Sequence, residues 1–110
     1  MFNYRIEHIN DFIVFFLSGR ADIIGAEKLE IEFKKLIENG YRKVILDFSE
    51  VSYFSSTGMR VIIALKSNLD ERNGKLRIIR MSRMVEKILK ALDLYEMYEV
   101  YDNIEQAINV

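Results

Sequence analysis

The chain has 110 residues, a length typical of one domain, and half of them are apolar, which is enough to build a hydrophobic core. It contains no cysteine, so disulfides, thiol nucleophiles and thiolate metal sites are excluded, and its formal net charge of -1 argues against bulk attraction to nucleic acid. No apolar run approaches the roughly 20 residues that cross a bilayer and the amino terminus lacks a secretory pattern, so we expect one cytoplasmic domain over residues 1–110, without membrane insertion or a direct nucleic-acid partner.

The first forty residues predict a β-hairpin followed by an amphipathic helix. Tyr4–Ile9 and Phe12–Leu17 are strand-like runs, and Asn10-Asp11 between them tolerates the positive φ angles of a tight turn. Apolar residues then recur at spacings of three and four with charged residues in the gaps, which is the period of a helix. Asp22 stands where an N-cap would satisfy free amides, and Asn39-Gly40 stands where the helix would end.

Strands and helices alternate in the rest of the chain. In order, we predict a buried central strand at Lys43–Phe48, a helix at Ser55–Arg72, a strand at Lys75–Arg80, a helix capped by Ser82, a short strand at Glu99–Tyr101 and a terminal helix at Ile104–Val110. The inward stripe of the helix after Ser82 is predicted to comprise Met84, Val85, Ile88, Leu89 and Leu92. Because strand–helix–strand crossovers join parallel strands, this order predicts an α/β fold with a mixed sheet of about five strands and about four helices.

Catalytic and metal-binding patterns are missing from the sequence. His8 is the single histidine and no nucleophile elbow accompanies it, so a Ser-His-Asp triad is not indicated. Acidic residues are scattered between lysines and arginines, and no glycine-rich phosphate loop occurs. Asp47 ends a strand as a phosphoacceptor aspartate would, but no acidic pair follows an early strand to hold magnesium. We expect neither an enzyme nor a bound cofactor or metal.

Three adjacent hydroxyls and a glycine, Ser55-Ser56-Thr57-Gly58, stand at the start of the second predicted helix. Backbone amides lack helical partners at such a start and the helix dipole is positive there. An unmodified hydroxyl therefore caps the helix, and a phosphate is electrostatically favoured at the same place. Taken alone, the pattern is that of an ordinary cap, since Ser and Thr are among the commonest N-cap residues.

A longer segment carries a resemblance to a known family. Residues 44–59, VILDFSEVSYFSSTGM, resemble the signature of STAS domains, in which an apolar strand and Asp-Leu-Ser-x-Val precede a hydroxyl-rich turn, a glycine and an apolar helix. Residues 17–22, LSGRAD, are similar to the Leu-x-Gly-x-Leu-Asp that ends the family's second strand. Residues 74–92 follow the pattern of its fourth strand and third helix.

The resemblance implies a non-enzymatic anti-anti-sigma factor. In that family the unphosphorylated protein binds an anti-sigma factor with serine kinase activity and so frees a sigma factor. The kinase phosphorylates the Ser or Thr before the motif glycine, which here is Thr57, and the phosphate should release the partner because it adds charge at a desolvated interface. The expected partner-binding residues are Asp22, Ser55, Ser56, Thr57, Gly58, Met59 and Met84, with partial exposure expected for both methionines.

One position departs from the family's pattern. Asp is common two residues before the acceptor, where this chain has Ser55, and Ser56 is therefore a second candidate acceptor. The resemblance also covers STAS domains that are non-phosphorylated scaffolds or accessory subunits of transport and signalling complexes. Ser55 is the sequence feature that favours this alternative.

Overall fold

Five strands and four α-helices form the protein in the computed structural model, which describes residues 1–109. Strands β1 to β5 span Asn3–Ile9, Phe12–Ala21, Lys43–Phe54, Lys75–Ile79 and Glu99–Tyr101. Helices α1 to α4 span Ile23–Glu38, Ser56–Glu71, Arg83–Ala91 and Ile104–Asn109, and a 3₁₀ turn covers Tyr95–Met97. The predicted α/β class with five strands and four helices is confirmed, while the predicted end of the last helix at Val110 lies outside the described residues.

The sheet has the order β1-β2-β3-β4-β5. Strands β1 and β2 pair in antiparallel fashion, and β2, β3, β4 and β5 pair in parallel. The sheet is therefore mixed, and β3 lies at its centre as predicted. Because α1 to α4 each follow one of the parallel strands, all four helices begin at the carboxyl edge of the sheet.

Short polar residues and positive φ angles set the element boundaries. Asn10 makes the hairpin turn with a φ of 55°, and Gly40 follows α1 with a φ of 89°. Asp22 and Ser82 accept hydrogen bonds from the amides three residues later, at 2.9 and 3.3 Å, and so cap α1 and α3. These three predicted boundaries, at the hairpin turn, at α1 and at the cap of α3, are confirmed.

Strands β2 and β3 are longer than their sequences predict. They continue past Leu17 and Phe48 to Ala21 and Phe54, with register shifts on either side of Ser18-Gly19. In the extension of β3, buried Val51 alternates with exposed polar residues, which is the pattern of a strand with one face in water. Strand β4 ends one residue earlier than predicted, because Arg80 has a φ of 52°.

Apolar side chains form two clusters, one on each face of the sheet. The larger cluster lies under α1, α2 and α3 and contains edge-to-face ring pairs, Phe15 with Phe33 and Phe48 with Phe54, at centroid distances of 5.2 and 5.3 Å. The smaller cluster lies under α4. The prediction for Leu92 is wrong, because α3 ends at Ala91 and the Leu92 side chain is 56% exposed. Within residues 1–109, no helix combines the length and the apolar character needed to cross a bilayer.

Candidate partner-binding site at the first turn of α2

Ser55 is the N-cap of α2. Its hydroxyl oxygen accepts a hydrogen bond from the amide of Gly58 at 3.1 Å, and its carbonyl accepts the first helical bond, from the amide of Met59 at 3.0 Å. The residue is 6% exposed, so the capping bond is shielded from water. The capping task therefore belongs to the first of the three hydroxyls, and the other two are not needed for it.

Ser56 and Thr57 are the first two residues of α2. Ser56 is exposed and Thr57 is half-buried, and in the described part of the chain neither hydroxyl makes a hydrogen bond. Their backbone amides have no acceptor within the helix, because helical bonding starts at Met59. Two hydroxyls thus stand beside unpaired amides at the positive end of the helix dipole.

Gly58 is required by the close approach of an aromatic ring. A Cβ atom at this position would lie 2.6 Å from the nearest carbon of the Phe54 ring, which is shorter than any normal contact. The Phe54 side chain is 2% exposed and packs against Phe48 in the main cluster. The glycine of the motif therefore lets the start of α2 rest directly on the core.

A backbone hydrogen bond ties this site to the start of α1. The amide of Ser55 donates to the carbonyl of Ala21 at 2.9 Å, and Ala21 immediately precedes the α1 cap, Asp22. Asp22 is exposed, and its carboxylate accepts from the Gly25 amide at 2.9 Å. Asp22 thus follows directly after the residue whose carbonyl binds the cap of α2, and its role in partner binding stays a prediction.

Two apolar residues beside the site were missed by the sequence analysis. Ile23 and Ile24, the first residues of α1, are 58% and 66% exposed. The signal that could have found them is their phase, since both lie outside the stripe that Ala26, Leu29 and Phe33 bury. The two isoleucines thus form an exposed apolar pair at the start of α1.

Arg20, near the end of β2, and Arg60, in α2, have no carboxylate partner within the described residues. The Arg20 guanidinium lies over the ring of Tyr53, 4.5 Å from its centroid, and Arg60 is exposed one turn along α2 from Thr57. Among residues 1–109, no carboxylate lies within ion-pair distance of either arginine. The charged groups around the site therefore include these two guanidinium groups and the exposed carboxylate of Asp22.

The two methionines differ from expectation in one case. Met59 is 4% exposed, so the prediction of partial exposure is wrong; it shares the core-facing side of α2 with Ile62, which lies one turn away. Met84 is half-buried at the first turn of α3, so its partial exposure is confirmed. Met59 supports the site from the core, and Met84 lies on a different helix that begins at the same edge of the sheet.

The single histidine of the sequence lies outside the site. His8 is exposed on β1 and stacks on Tyr41 with a centroid distance of 5.5 Å. No cluster of three or more His, Cys, Asp or Glu side chains that could hold a metal occurs within residues 1–109. The groups described at the site are hydroxyls, backbone amides, guanidinium groups, the carboxylate of Asp22 and exposed isoleucines.

The profile of the STAS domain family matches residues 3–107, which is nearly the whole chain. This chain is a STAS domain. The assignment by resemblance from the residues around Thr57 is thereby confirmed, and the site described above lies within the matched range.

Known relatives agree with the family. A protein of Bordetella bronchiseptica, BtrV, which carries the name of an anti-sigma factor antagonist, is 31% identical over 71 residues, which are 64% of this chain and 61% of BtrV. The alignment thus spans less than two thirds of BtrV.

Solved structures share the fold. TM1081 of Thermotoga maritima superimposes with a TM-score of 0.88 at 21% identity, covering 96% of this chain and 91% of that one. SpoIIAA of Bacillus in its phosphorylated form gives a TM-score of 0.83 at 19% identity, covering 97% of both chains, and its unphosphorylated form gives 0.81 at 18% identity, covering 96% and 93%. The STAS domain thus has the architecture of proteins described as anti-sigma factor antagonists.

Proposed function

We propose that this STAS domain is a non-enzymatic anti-sigma factor antagonist: when Thr57 carries no phosphate it binds an anti-sigma factor with serine kinase activity, and phosphorylation of Thr57 releases that partner. The observation that carries the proposal is that one residue at the start of α2 caps the helix while a different residue presents the hydroxyl. Ser55 supplies the cap, while the half-buried Thr57 makes no side-chain hydrogen bond to any residue that the structure describes. A residue that the fold does not use is available to act as a switch.

The capping role of Ser55 also bears on the departure from the family's pattern. Asp and Ser are about equally good N-caps, so replacing the common Asp by Ser keeps the first turn of α2 in place. What the substitution removes is a negative charge beside the acceptor. The geometry expected of a phosphorylatable site is therefore retained, and this supports the switch over the scaffold alternative.

Between the two candidate acceptors, the geometry of α2 favours Thr57. Thr57 lies one turn before Val61, which lines a groove of about 260 Å³ between α1 and α2 together with Phe33 and Ile37. Thr57 thus points along the side of α2 that faces α1 and its exposed isoleucines. Ser56 lies about 100° around the helix from that direction. A partner that covers Ile23 and Ile24 would cover Thr57 as well.

Release by phosphate follows from charge and desolvation. A phosphate adds nearly two negative charges where the unmodified protein presents a hydroxyl beside apolar side chains. A partner surface shaped for exposed isoleucines and a neutral hydroxyl cannot hydrate a dianion, so the complex loses affinity. The unpaired amides and Arg60 stabilise the phosphate on the free protein, which favours the dissociated state further.

The test combines phosphopeptide mass spectrometry of the native protein with capture of partners from the host lysate by wild-type protein, Thr57→Ala and Thr57→Asp. We expect phosphate on Thr57, retention of the partner by Thr57→Ala, and at least about a tenfold loss of capture by Thr57→Asp, equivalent to about 1.4 kcal/mol.

Ser67→Asp provides the matched control, since it places the same charge at an exposed position on the same helix and should capture normally. Ser56→Ala separates the two acceptors, because the phosphopeptide signal should survive this change. Equal capture by wild type and Thr57→Asp would reject the switch and favour the scaffold.

A further inference from the structure

Strand β1 forms an open edge of the sheet. Within residues 1–109 it pairs with β2 alone, and five of its seven residues are exposed, including Ile6 at 36%. The opposite edge, β5, is three residues long. An open strand of seven residues presents a row of unpaired backbone groups that another strand can bind.

The register of the hairpin determines which backbone amides and carbonyls of β1 point away from β2. Ile9 and Phe12 flank the two-residue turn and form its hydrogen-bonded pair. Because hydrogen-bonded and non-hydrogen-bonded pairs alternate in an antiparallel ladder, the amides and carbonyls of Asn3, Arg5 and Glu7 also point toward β2. The amides and carbonyls of Tyr4, Ile6 and His8 therefore point outward. In this way every second residue of β1 is ready to pair with a further strand.

We propose that β1 binds β1 of a second copy of this chain in antiparallel fashion, with Ile6 on the two-fold axis. In this register Ile6 faces Ile6, Tyr4 of each copy faces His8 of the other, and Arg5 of each copy faces Glu7 of the other. The three outward residues of both copies then meet one another and form about six backbone hydrogen bonds, two for each facing pair. The result is a continuous ten-stranded sheet across the dimer.

Charge complementarity selects this arrangement. Arg5 and Glu7 occupy non-hydrogen-bonded positions of the new ladder, where facing side chains come closest, so the two-fold axis creates two ion pairs between copies. Parallel in-register pairing would place arginine beside arginine and glutamate beside glutamate. A slip by one residue would oppose outward groups to groups already bonded to β2, and a slip by two residues would separate Arg5 from Glu7. The sequence around Ile6 is thus self-complementary in one register.

The present contacts of Arg5 and Glu7 can exchange at low cost. Arg5 Nε donates to Glu7 Oε2 at 2.8 Å within one chain, and the two side chains are 66% and 45% exposed. The Arg5 guanidinium also lies 4.2 Å from the centroid of the Phe16 ring. Such exposed pairs contribute little to stability, so replacing an internal pair by one between copies is nearly neutral. Charged residues on an edge strand usually prevent pairing with arbitrary strands. Here the opposite charges of Arg5 and Glu7 disfavour pairing with other strands and favour pairing with a second copy of the chain.

The interface is small, because it consists of one strand from each copy with Ile6 as its apolar centre. Interfaces below about 1,200 Å² are typical of weak and transient association. We therefore expect a dimer that forms in the micromolar to millimolar range and dissociates on dilution. The two α2 starts of the dimer face opposite directions, so dimerisation leaves both accessible.

Sedimentation equilibrium over a series of concentrations tests the proposal. Arg5→Glu and Glu7→Arg each place like charges opposite one another and should raise the dimer dissociation constant at least about tenfold. The double variant Arg5→Glu/Glu7→Arg restores both pairs across the two-fold axis and should return the constant to within about threefold of wild type. Arg72→Glu, an equal change in charge at an exposed helix end, is the matched control and should have no effect.

Hydrogen exchange provides a readout that does not depend on the variants. The amides of Tyr4, Ile6 and His8 should gain protection as the protein concentration rises, while those of Arg5 and Glu7 are protected at every concentration. A wild-type protein that stays monomeric at all concentrations, or that binds only extended peptides at β1, overturns the proposal. So does a double variant that dimerises no better than the single variants.

Discussion

In α1 the cap is Asp22 and the third helical residue is Gly25; in α2 the cap is Ser55 and the third helical residue is Gly58. Both caps accept from the amide of that glycine, and both glycines lie against an aromatic ring. The two residues between cap and glycine differ, since α1 has Ile23-Ile24 and α2 has Ser56-Thr57. Because the cap and the glycine form the turn, the two residues between them are free to contact a partner. These two residues are apolar in α1 and carry hydroxyls in α2.

The largest effect is expected from adding a methyl group at Gly58 or Gly25, where an aromatic side chain lies close to the backbone. In Gly58→Ala the new methyl would meet the buried Phe54 ring at 2.6 Å, so we expect a loss of about 2 kcal/mol in the free energy of unfolding. In Gly25→Ala the nearest atoms, at 3.0 Å, belong to half-buried Phe2, which can move, so the loss should be smaller. Urea denaturation measures both, and equal losses would show that the two turns are packed alike.

The next effect concerns binding rather than stability. Ile24→Ser removes an exposed apolar side chain from the proposed contact surface. Because the partner would no longer bury this side chain, we expect capture to weaken about tenfold. Stability should change by less than about 0.5 kcal/mol, because the side chain is 66% exposed. Ile31→Ser is the control, since Ile31 is 55% exposed two turns further along α1. Equal losses of partner capture for both variants would indicate non-specific apolar binding along α1 rather than a site at its start.

A smaller effect separates capping from charge at Ser55. Ser55→Ala leaves the buried Gly58 amide without its acceptor and should lower the free energy of unfolding by about 1 kcal/mol. Ser55→Asp keeps a capping oxygen, and the amides and positive dipole end of α2 offset the burial of its carboxylate at this 6% exposed position, so its stability should remain within about 0.5 kcal/mol of wild type. Chemical denaturation of the two variants compares them directly. If Ser55→Asp were as unstable as Ser55→Ala, the capping role assigned to this position would be wrong.

The smallest effect lies at the far end of α2 and tests whether the first turn is insulated from it. Burial, and then the nearby charge of Asp70, raise the pKa of Tyr98 from 10.0 to about 12. The unfolded state therefore loses this proton near pH 10 while the folded state keeps it, so the stabilisation is complete below pH 10 and declines as the pH rises toward 12. Tyr98→Phe should flatten that decline in thermal unfolding and leave partner capture unchanged. A capture defect in Tyr98→Phe would mean that the two ends of α2 are coupled.

Most of the fold is predictable because its signals are local. The hairpin turn at Asn10, the cap residues Asp22 and Ser82, and the apolar periods between them each act within a few residues. The extensions of β2 and β3 are not local, since Val51 and Phe54 are held by pairing with β2 along a polar stretch that sequence alone indicates as a loop. The ends of these strands are therefore determined by pairing with the neighbouring strand, which the hydrophobic periodicity of the sequence does not reveal.

The site could be predicted in part for the same reason. The three hydroxyls and the glycine are contiguous, so their position at a helix start follows from the sequence. Which hydroxyl caps the helix, and that Met59 faces the core, depend on the phase of α2 against Phe54 and the sheet. The start of α1, with its exposed isoleucines, lies beside the start of α2 because Ser55 hydrogen-bonds to Ala21, a residue far from it in the chain.

The central claim is that the state of the Thr57 hydroxyl decides whether the partner is bound. The most direct measurement separates the native protein from a host lysate into complexed and free fractions by size and determines the phosphate occupancy of Thr57 in each by mass spectrometry. The account predicts that phosphorylated Thr57 is confined to the free fraction, whereas the complexed fraction is unmodified. Equal occupancy in the two fractions, or phosphate on Ser56 in place of Thr57, would contradict it.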